Sequence, residues 1–327
     1  MEQNVVNMDN DAEIQKNDEV SEMSEEYVLE TKNLTKTYSR KNVVNNLNMK
    51  IRKGDIYGFI GKNGAGKTTT IKMISGMISP SSGSIKLFGK ENLSEPRKKI
   101  GCIIENPAFY PYMSAHDNIE AQRILKGVKD KSVTNELLEI VGLGNAGKKK
   151  LKNFSLGMKQ RLAIALALVG DPEILLLDEP INGLDPSGIK EIRELILKLS
   201  KEAGITVLIS SHILGELTKI SSAYGVIKDG NLIAQFTKEE LAQRVRPSLK
   251  VKVNDLEKSI KVLKEKFSEI ELDVIDDEIL IYNMTEDFRA ITNVLEEFEI
   301  IIQSLSKSEG DYENYFINLM EGEIKDE

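Results

Sequence analysis

A chain of 327 residues with 40% hydrophobic side chains, 23 glycines and 8 prolines has room for one large domain and one smaller, each with its own core. Its net charge of -8 resides in residues 1–26, which hold nine acidic side chains and one basic; the remainder balances at 43 of each, which argues against a nucleic-acid surface. No apolar run approaches the ~18 residues of a membrane span, and the single cysteine, Cys102, excludes an intrachain disulfide.

Residues 1–26 lack the apolar run of a signal peptide and read as a solvated, disordered acidic arm. Tyr27–Ile51 is expected to form an antiparallel β layer, joined by a strand at Ser84–Phe88. The apolar run Ile56–Ile60 then leads into Gly61-Lys62-Asn63-Gly64-Ala65-Gly66-Lys67-Thr68, with Thr69 next. A strand that ends in GxxxxGK[ST] and opens a helix is a phosphate-binding P-loop. Its glycines permit a backbone path that turns successive N–H groups toward one anion, and the helix expected over Lys67–Met77 adds its positive end. Lys67 is placed to reach the β/γ-phosphates of ATP, and the Thr68 hydroxyl to ligate Mg²⁺.

Ile100–Ile104 is a further strand, where Cys102 reads as a buried thiol in a reducing cytosol. A mainly helical insert follows over about 106–170, with helices at Ala115–Leu125 and Val133–Val141 and an apolar one reaching Val169. Within it Lys148–Lys152 reads as a solvated loop, with contact to anionic lipid as the alternative. Glu173–Pro180 is an apolar strand ending in Asp178 and Glu179, which suits a buried parallel strand delivering carboxylates to a ligand-binding edge. Asp178 is then placed to hold Mg²⁺ through water, and Glu179 to polarise the attacking water as general base. A helix at Gly188–Lys201, a strand before His212 and a hairpin over Val226–Ala234 with Asp-Gly at its turn complete a nucleotide-binding domain of about 27–240. In residues 247–327 strand-like runs at Leu249–Val253, Ile270–Ile275, Glu278–Tyr282 and Ile300–Leu305 alternate with helical stripes of Leu256, Ile260, Leu263 and Phe267 and of Phe288, Ile291, Leu295 and Phe298. The order βαββαβ reads as a small α+β domain of ferredoxin-like order that carries no chemical motif.

Phe154-Ser155-Leu156-Gly157-Met158 stands before Lys-Gln-Arg and the apolar helix, and here the chain resembles the ATP-binding-cassette (ABC) family. That resemblance covers roughly Tyr27 to Gln235 and implies the ABC type of α/β P-loop fold, with a mixed sheet core, an antiparallel β layer and a helical subdomain. The family's signature loop is typically LSGGQ; Ser155 and Gly157 keep its hydroxyl and bare backbone, whereas Leu156 and Met158 depart from it. In the family this loop faces the γ-phosphate held by the other subunit. Asp185, in Asn182-Gly-Leu-Asp, matches the D-loop that links the two sites. By the same resemblance His212 is the switch histidine that contacts the γ-phosphate, and Tyr38 the aromatic stacked on adenine.

Glu105 occupies the place where the family commonly has a glutamine facing Mg²⁺ or the attacking water. With Asn-Pro-Ala-Phe-Tyr after it, this loop is similar to the ATPase subunits of bacitracin- and lantibiotic-type export systems. A carboxylate keeps an oxygen for the metal and adds negative charge beside phosphate, with slower hydrolysis or a pH-dependent switch as the consequence. Phe109, Tyr110 and Tyr112 either dock a membrane partner or belong to the helical subdomain's own core.

The resemblance implies an ATP-hydrolysing subunit on the cytoplasmic face of the membrane, touching the bilayer only through a separate permease. It would pair with a second ABC subunit, a copy or a paralogue, around ATP and Mg²⁺. The alternatives are an ATP-dependent regulator with little turnover and a soluble ribosome-acting ABC protein.

Overall fold

The computed structural model describes residues 27–322 except Asn106, Arg246, Asp276, Glu286, Glu309 and Asp311; the acidic arm therefore lies outside the described residues. The chain divides into two compact units, one running to Thr237 and rejoined by Gly322, the other spanning Lys238–Glu321. None of the helices among the described residues is long and apolar enough to cross a membrane.

In the first unit β1 (Tyr27–Tyr38), β2 (Lys41–Leu47) and β3 (Lys50–Arg52) form an antiparallel layer with β1 in the middle. β4 (Ile56–Ile60) opens the central sheet and leads through the glycine-rich turn into α1 (Lys67–Ser75), and β5 (Ser82–Leu87) returns to pair with β1. α1 stops short of the expected Met77 because Gly76 takes the left-handed conformation, φ 84°, and caps the helix by donating its N–H to Met73 O.

β6 (Ile100–Ile103) precedes the helical insert of α2 (Ala115–Leu125), α3 (Ser132–Ile140) and α4 (Leu156–Leu168). The start of α2 is set by a capping box, in which the Ser114 side chain accepts from the Asp117 N–H and the Asp117 carboxylate accepts from Ser114. Next come β7 (Ile174–Asp178), α5 (Pro186–Ala203), β8 (Thr206–Ser211), α6 (Leu214–Leu217), β9 (Ala223–Lys228) and β10 (Asn231–Thr237). The six-stranded order is β10-β9-β4-β8-β7-β6, parallel from β9 to β6 with β10 as an antiparallel edge. Every residue of β4, β7 and β8 is buried, which is what a parallel sheet covered on both faces demands of its central strands. Leu29, Phe59, Ile71, Leu87, Leu176 and Leu208 belong to one buried cluster, so the antiparallel layer, α1 and the central sheet share a core.

The second unit holds α7 (Lys238–Arg244), β11 (Ser248–Val253), α8 (Leu256–Lys266), β12 (Leu272–Ile275), β13 (Glu278–Ile281), α9 (Phe288–Glu297), β14 (Ile302–Ser308) and α10 (Tyr312–Glu321). Its antiparallel sheet runs β12-β13-β11-β14, and Leu249, Val251, Leu263, Ile279, Ile281 and Leu295 are fully buried in its core. β14 starts two residues after the expected Ile300, because the Ile300 N–H is already engaged by Leu295 O where α9 ends. Likewise β12 starts at Leu272 because Ile270 closes a turn onto Phe267 O.

β6 meets α4 through Gly101. A Cβ there would lie 2.4 Å from Ala167 O and 2.7 Å from Leu175 Cδ2, and the helix backbone cannot yield cheaply. Gly101→Ala is therefore expected to cost about 2 kcal/mol, lowering the thermal midpoint of the cassette by about 5 °C in a melting experiment. Beside it the Cys102 thiol is pushed up in pKa by burial, more than the nearby Lys126 ammonium pulls it down. Less thiolate is then present at mildly alkaline pH, so alkylation of the folded chain at about pH 8 should run slower than after denaturation.

Candidate functional site

The glycine-rich turn is built by close backbone approach. Gly66 has φ 113°, and a Cβ there would lie 2.8 Å from Val43 O, so β2 presses directly against the turn. The β9–β10 hairpin supports it from another side: Gly230 donates to Ala65 O at 3.0 Å while Asn45 donates to Gly230 O at 2.8 Å. Gly64, at φ 82°, would have nothing within 4 Å of a Cβ, so the turn presents bare backbone there. No side chain caps α1 at Gly66. Its first N–H groups thus lack an intrahelical partner at the positive end of the helix, where an anion is stabilised.

Three chain segments converge at this edge of the sheet. Lys67 Nζ, buried, donates to Gly61 O at 2.6 Å, has Lys62 O at 3.5 Å, and lies 3.4 Å from Glu179 Oε1. Thr68 Oγ1 donates to Asp178 Oδ2 at 2.7 Å. His212 Nδ1 lies 2.7 Å from Glu179 Oε2. Glu179 has φ 50°, so the chain turns sharply after β7 and aims this second carboxylate back across the P-loop. Its Oε1 is buried and makes no hydrogen bond, a polar atom facing Lys67 with acceptor capacity to spare.

One residue that the motif reading passed over organises the carboxylates. Ser210, fully buried at the end of β8, donates from Oγ to Asp178 Oδ1 at 2.6 Å and accepts from the Glu179 N–H at 3.0 Å. Glu179 N–H also reaches Ser210 O at 3.2 Å. The available signal was the pair Ser210-Ser211 closing an otherwise apolar strand just before His212.

The remaining expected residues lie in separate surroundings. Glu105, at φ 57° just past β6, forms an ion pair with Lys72 of α1 at 2.6 Å, and among the described residues no hydrogen bond joins it to Thr68 or Asp178. Nearby, Arg97 donates to Met73 O and Ile74 O, the last carbonyls of α1. Tyr38 ends β1 half exposed, with Lys36 Nζ 5.1 Å from its ring centre. Ser155 caps α4 by accepting from Met158 N–H at 3.2 Å, Leu156 is half exposed, and a Cβ on Gly157 would lie 4.0 Å from Leu184 Cδ2. Asp185 caps α5 by accepting from Gly188 N–H at 3.1 Å. Among the described residues, no hydrogen bond links Ser155–Met158 to the P-loop of the same chain. Lys62 makes further polar contact, and Asn63 and Thr69 lie in the P-loop and first turn of α1.

The donor set fits a hard cation that arrives with phosphate. Among the described residues there is no group of three or more His, Cys, Asp or Glu able to hold a metal alone. One hydroxyl and one carboxylate, Thr68 and Asp178, leave most positions for phosphate oxygens and water, which is how Mg²⁺ is usually bound.

A family model described as ABC transporter matches residues 44–182. The bacitracin transport ATP-binding protein BcrA of Enterococcus faecalis is 41% identical over 300 residues, 91% of this chain and 97% of the relative. The lantibiotic transport ATP-binding protein SrtF of Streptococcus pyogenes is 46% identical over 208 residues, 64% of this chain and 90% of the relative. Among solved structures, an ATP-binding cassette in a dimeric post-hydrolysis state, bound to ADP and phosphate, superposes with TM-score 0.59 at 27% identity, covering 64% of this chain and 98% of that one. With a relative at 41% identity matched along nearly its whole length, the chain belongs to the ABC transporter family, as one of its ATP-binding, ATP-hydrolysing cassettes.

Proposed function

We propose that this cassette hydrolyses ATP·Mg²⁺ in a site shared with a second cassette, and that the resulting opening and closing drives a separate membrane permease exporting antimicrobial peptides. The observation that supports it best is the meeting of Lys67, Thr68, Asp178, Glu179 and His212 within hydrogen-bonding or ion-pairing distance at one edge of the sheet. The backbone of Gly61–Thr69, including Lys62, Asn63 and Ala65, cradles the β- and γ-phosphates with Lys67, and Tyr38 stacks on adenine. Thr68 and Asp178 would hold Mg²⁺, and Glu105 would reach the same metal on leaving Lys72. When bound, Mg²⁺ offsets the charge on the phosphate oxygens.

Glu179 is the general base. Its unsatisfied Oε1 takes the proton of the attacking water, while His212 holds the carboxylate through Oε2. Ser210 holds the Asp178 carboxylate and, through the Glu179 N–H, the backbone that carries the general base. The Ser155–Met158 loop, remote from its own P-loop in hydrogen bonding, contacts the γ-phosphate of the second cassette, and Asp185 links the two sites. Triphosphate then favours the closed pair over the open one because only its γ-phosphate bridges both chains, and that differential affinity moves the permease. The mate is a second copy or a paralogue, and the bilayer is met only through the permease at its cytoplasmic side. The cargo class follows from the relatives' printed roles in bacitracin and lantibiotic transport.

Glu179→Gln is expected to lower ATP turnover by about a hundredfold or more while retaining ATP binding. The same variant should accumulate ATP-dependent pairs in light scattering; turnover close to wild type would remove Glu179 from the role. Ser210→Ala removes the bond to Asp178 Oδ1 and one of the two acceptors of the Glu179 N–H, so kcat should fall about tenfold with KM changed less than about twofold in steady-state assays. Affinity capture from detergent-solubilised source membranes should recover a polytopic permease, whereas recovery of ribosomal proteins would replace the transport reading.

A further inference from the structure

Lys36 takes no part in the phosphate chemistry, yet its ammonium is held in place. It stands two residues before Tyr38 on β1, so both side chains project from the same face of the strand. Pairing with β2 is irregular here: Lys36 lies opposite Val44 and Thr37 opposite Asn42, so the extra residue is Val43 of β2. Val43 is also the residue whose carbonyl presses on Gly66 of the P-loop, which sets the end of β1 beside the phosphate cradle. Half-buried, Lys36 donates from Nζ to Ser79 O at 2.7 Å and lies 5.1 Å from the centre of the Tyr38 ring. Among the described residues Lys36 meets no carboxylate, and no other cation or ring contacts Tyr38. Ser79 belongs to the loop that follows α1. That loop is bonded to the helix, Ile78 N–H to Lys72 O at 3.2 Å, and twice more to β1, Ser81 N–H to Thr35 O at 2.8 Å and Thr37 N–H to Ser81 Oγ at 3.0 Å. The segment that leaves the phosphate-binding helix therefore also fixes the ammonium over the ring.

A cation this close to a tyrosine ring is attracted to its π-face. Tyr38 is 47% exposed, so with Lys36 on one face the ring offers its other face to a flat ligand. We propose that Lys36 is a positioning residue for the nucleotide base: it backs the Tyr38 ring, so that adenine stacks on a platform already set in orientation. The inference rests on the reading of Tyr38 as the ring that meets adenine. A ring ordered before binding spares the complex the entropy of ordering it afterwards, and the gain appears as affinity for the base. Lys36 reaches the phosphates through no contact of its own, so its contribution belongs to the base alone.

The test compares the affinity of the full chain for ADP with that for pyrophosphate, which lacks the base, by competition against ribose-labelled methylanthraniloyl-ADP in the presence of Mg²⁺. Lys36→Met keeps the aliphatic stem and removes the charge; ADP affinity should fall about threefold while pyrophosphate affinity changes less than about 1.5-fold. Lys36→Arg, which keeps a cation and a donor, should restore ADP binding. Tyr38→Ala should weaken ADP as well, and adding Lys36→Met to that chain should weaken it no further. Equal losses for ADP and pyrophosphate in Lys36→Met would place the charge at the phosphates or in the fold and overturn the proposal. If Tyr38→Ala weakens ADP but Lys36→Met does not, the base still stacks on Tyr38 and Lys36 loses its role. An ADP affinity untouched by Tyr38→Ala overturns the reading of Tyr38 itself, and this inference with it.

Discussion

The bond from Thr68 to Asp178 is where the phosphate-binding turn and the central sheet are brought into one frame. It forms because β4 and β7 both pair with β8 and end at the same level, Ile60 opposite Ser211 and Asp178 opposite Ser210. The turn after β4 therefore returns over the end of β7 with a hydroxyl in reach of the carboxylate. Ser210, on the strand between, ties off the other oxygen. A slip of one residue in β7 would turn Asp178 to the opposite face of the sheet, and one in β8 would do the same to Ser210. Burial of all three strands makes such a slip costly, because it would have to exchange fully packed apolar side chains.

In the proposed function this frame is half of a catalytic apparatus. Lysine, hydroxyl and two carboxylates face one another, while the helix end at Ser155 is capped by its own chain through Met158 N–H. On that proposal, bridging between chains would depend on the state of the nucleotide, and the chemistry would be separate from the cargo, whose identity would reside in the membrane component.

Much of this was legible in residue order. The period-free apolar runs at Ile56–Ile60 and Ile174–Leu177 announce buried parallel strands, and the glycine spacing at 61–66 needs no tertiary information to be read as an anion cradle. The amphipathic stripes of the second unit likewise yield its βαββαβ order, matched by the observed elements. Long-range pairing was not legible. Nothing local marks Ser210 as the support of the Asp178 carboxylate and the Glu179 backbone, 32 and 31 positions away. Nor does the sequence reveal that Glu105 meets Lys72, 33 positions earlier. Element ends moved wherever a backbone group had found a nearer partner, as at Gly76 and Ile300.

Helix α1 is gripped on both flanks of β6. Arg97, just before that strand, holds the helix's last carbonyls, and Glu105, just after it, holds Lys72. Since the helical insert begins where Glu105 leaves off, a tug on the insert has a short mechanical route to the rod whose other tip cradles phosphate. On the proposed function, leverage of that kind would run in both directions: cleavage at the tip would be felt by whatever grips the insert, and a loaded carrier would in turn adjust how firmly the tip holds its anion.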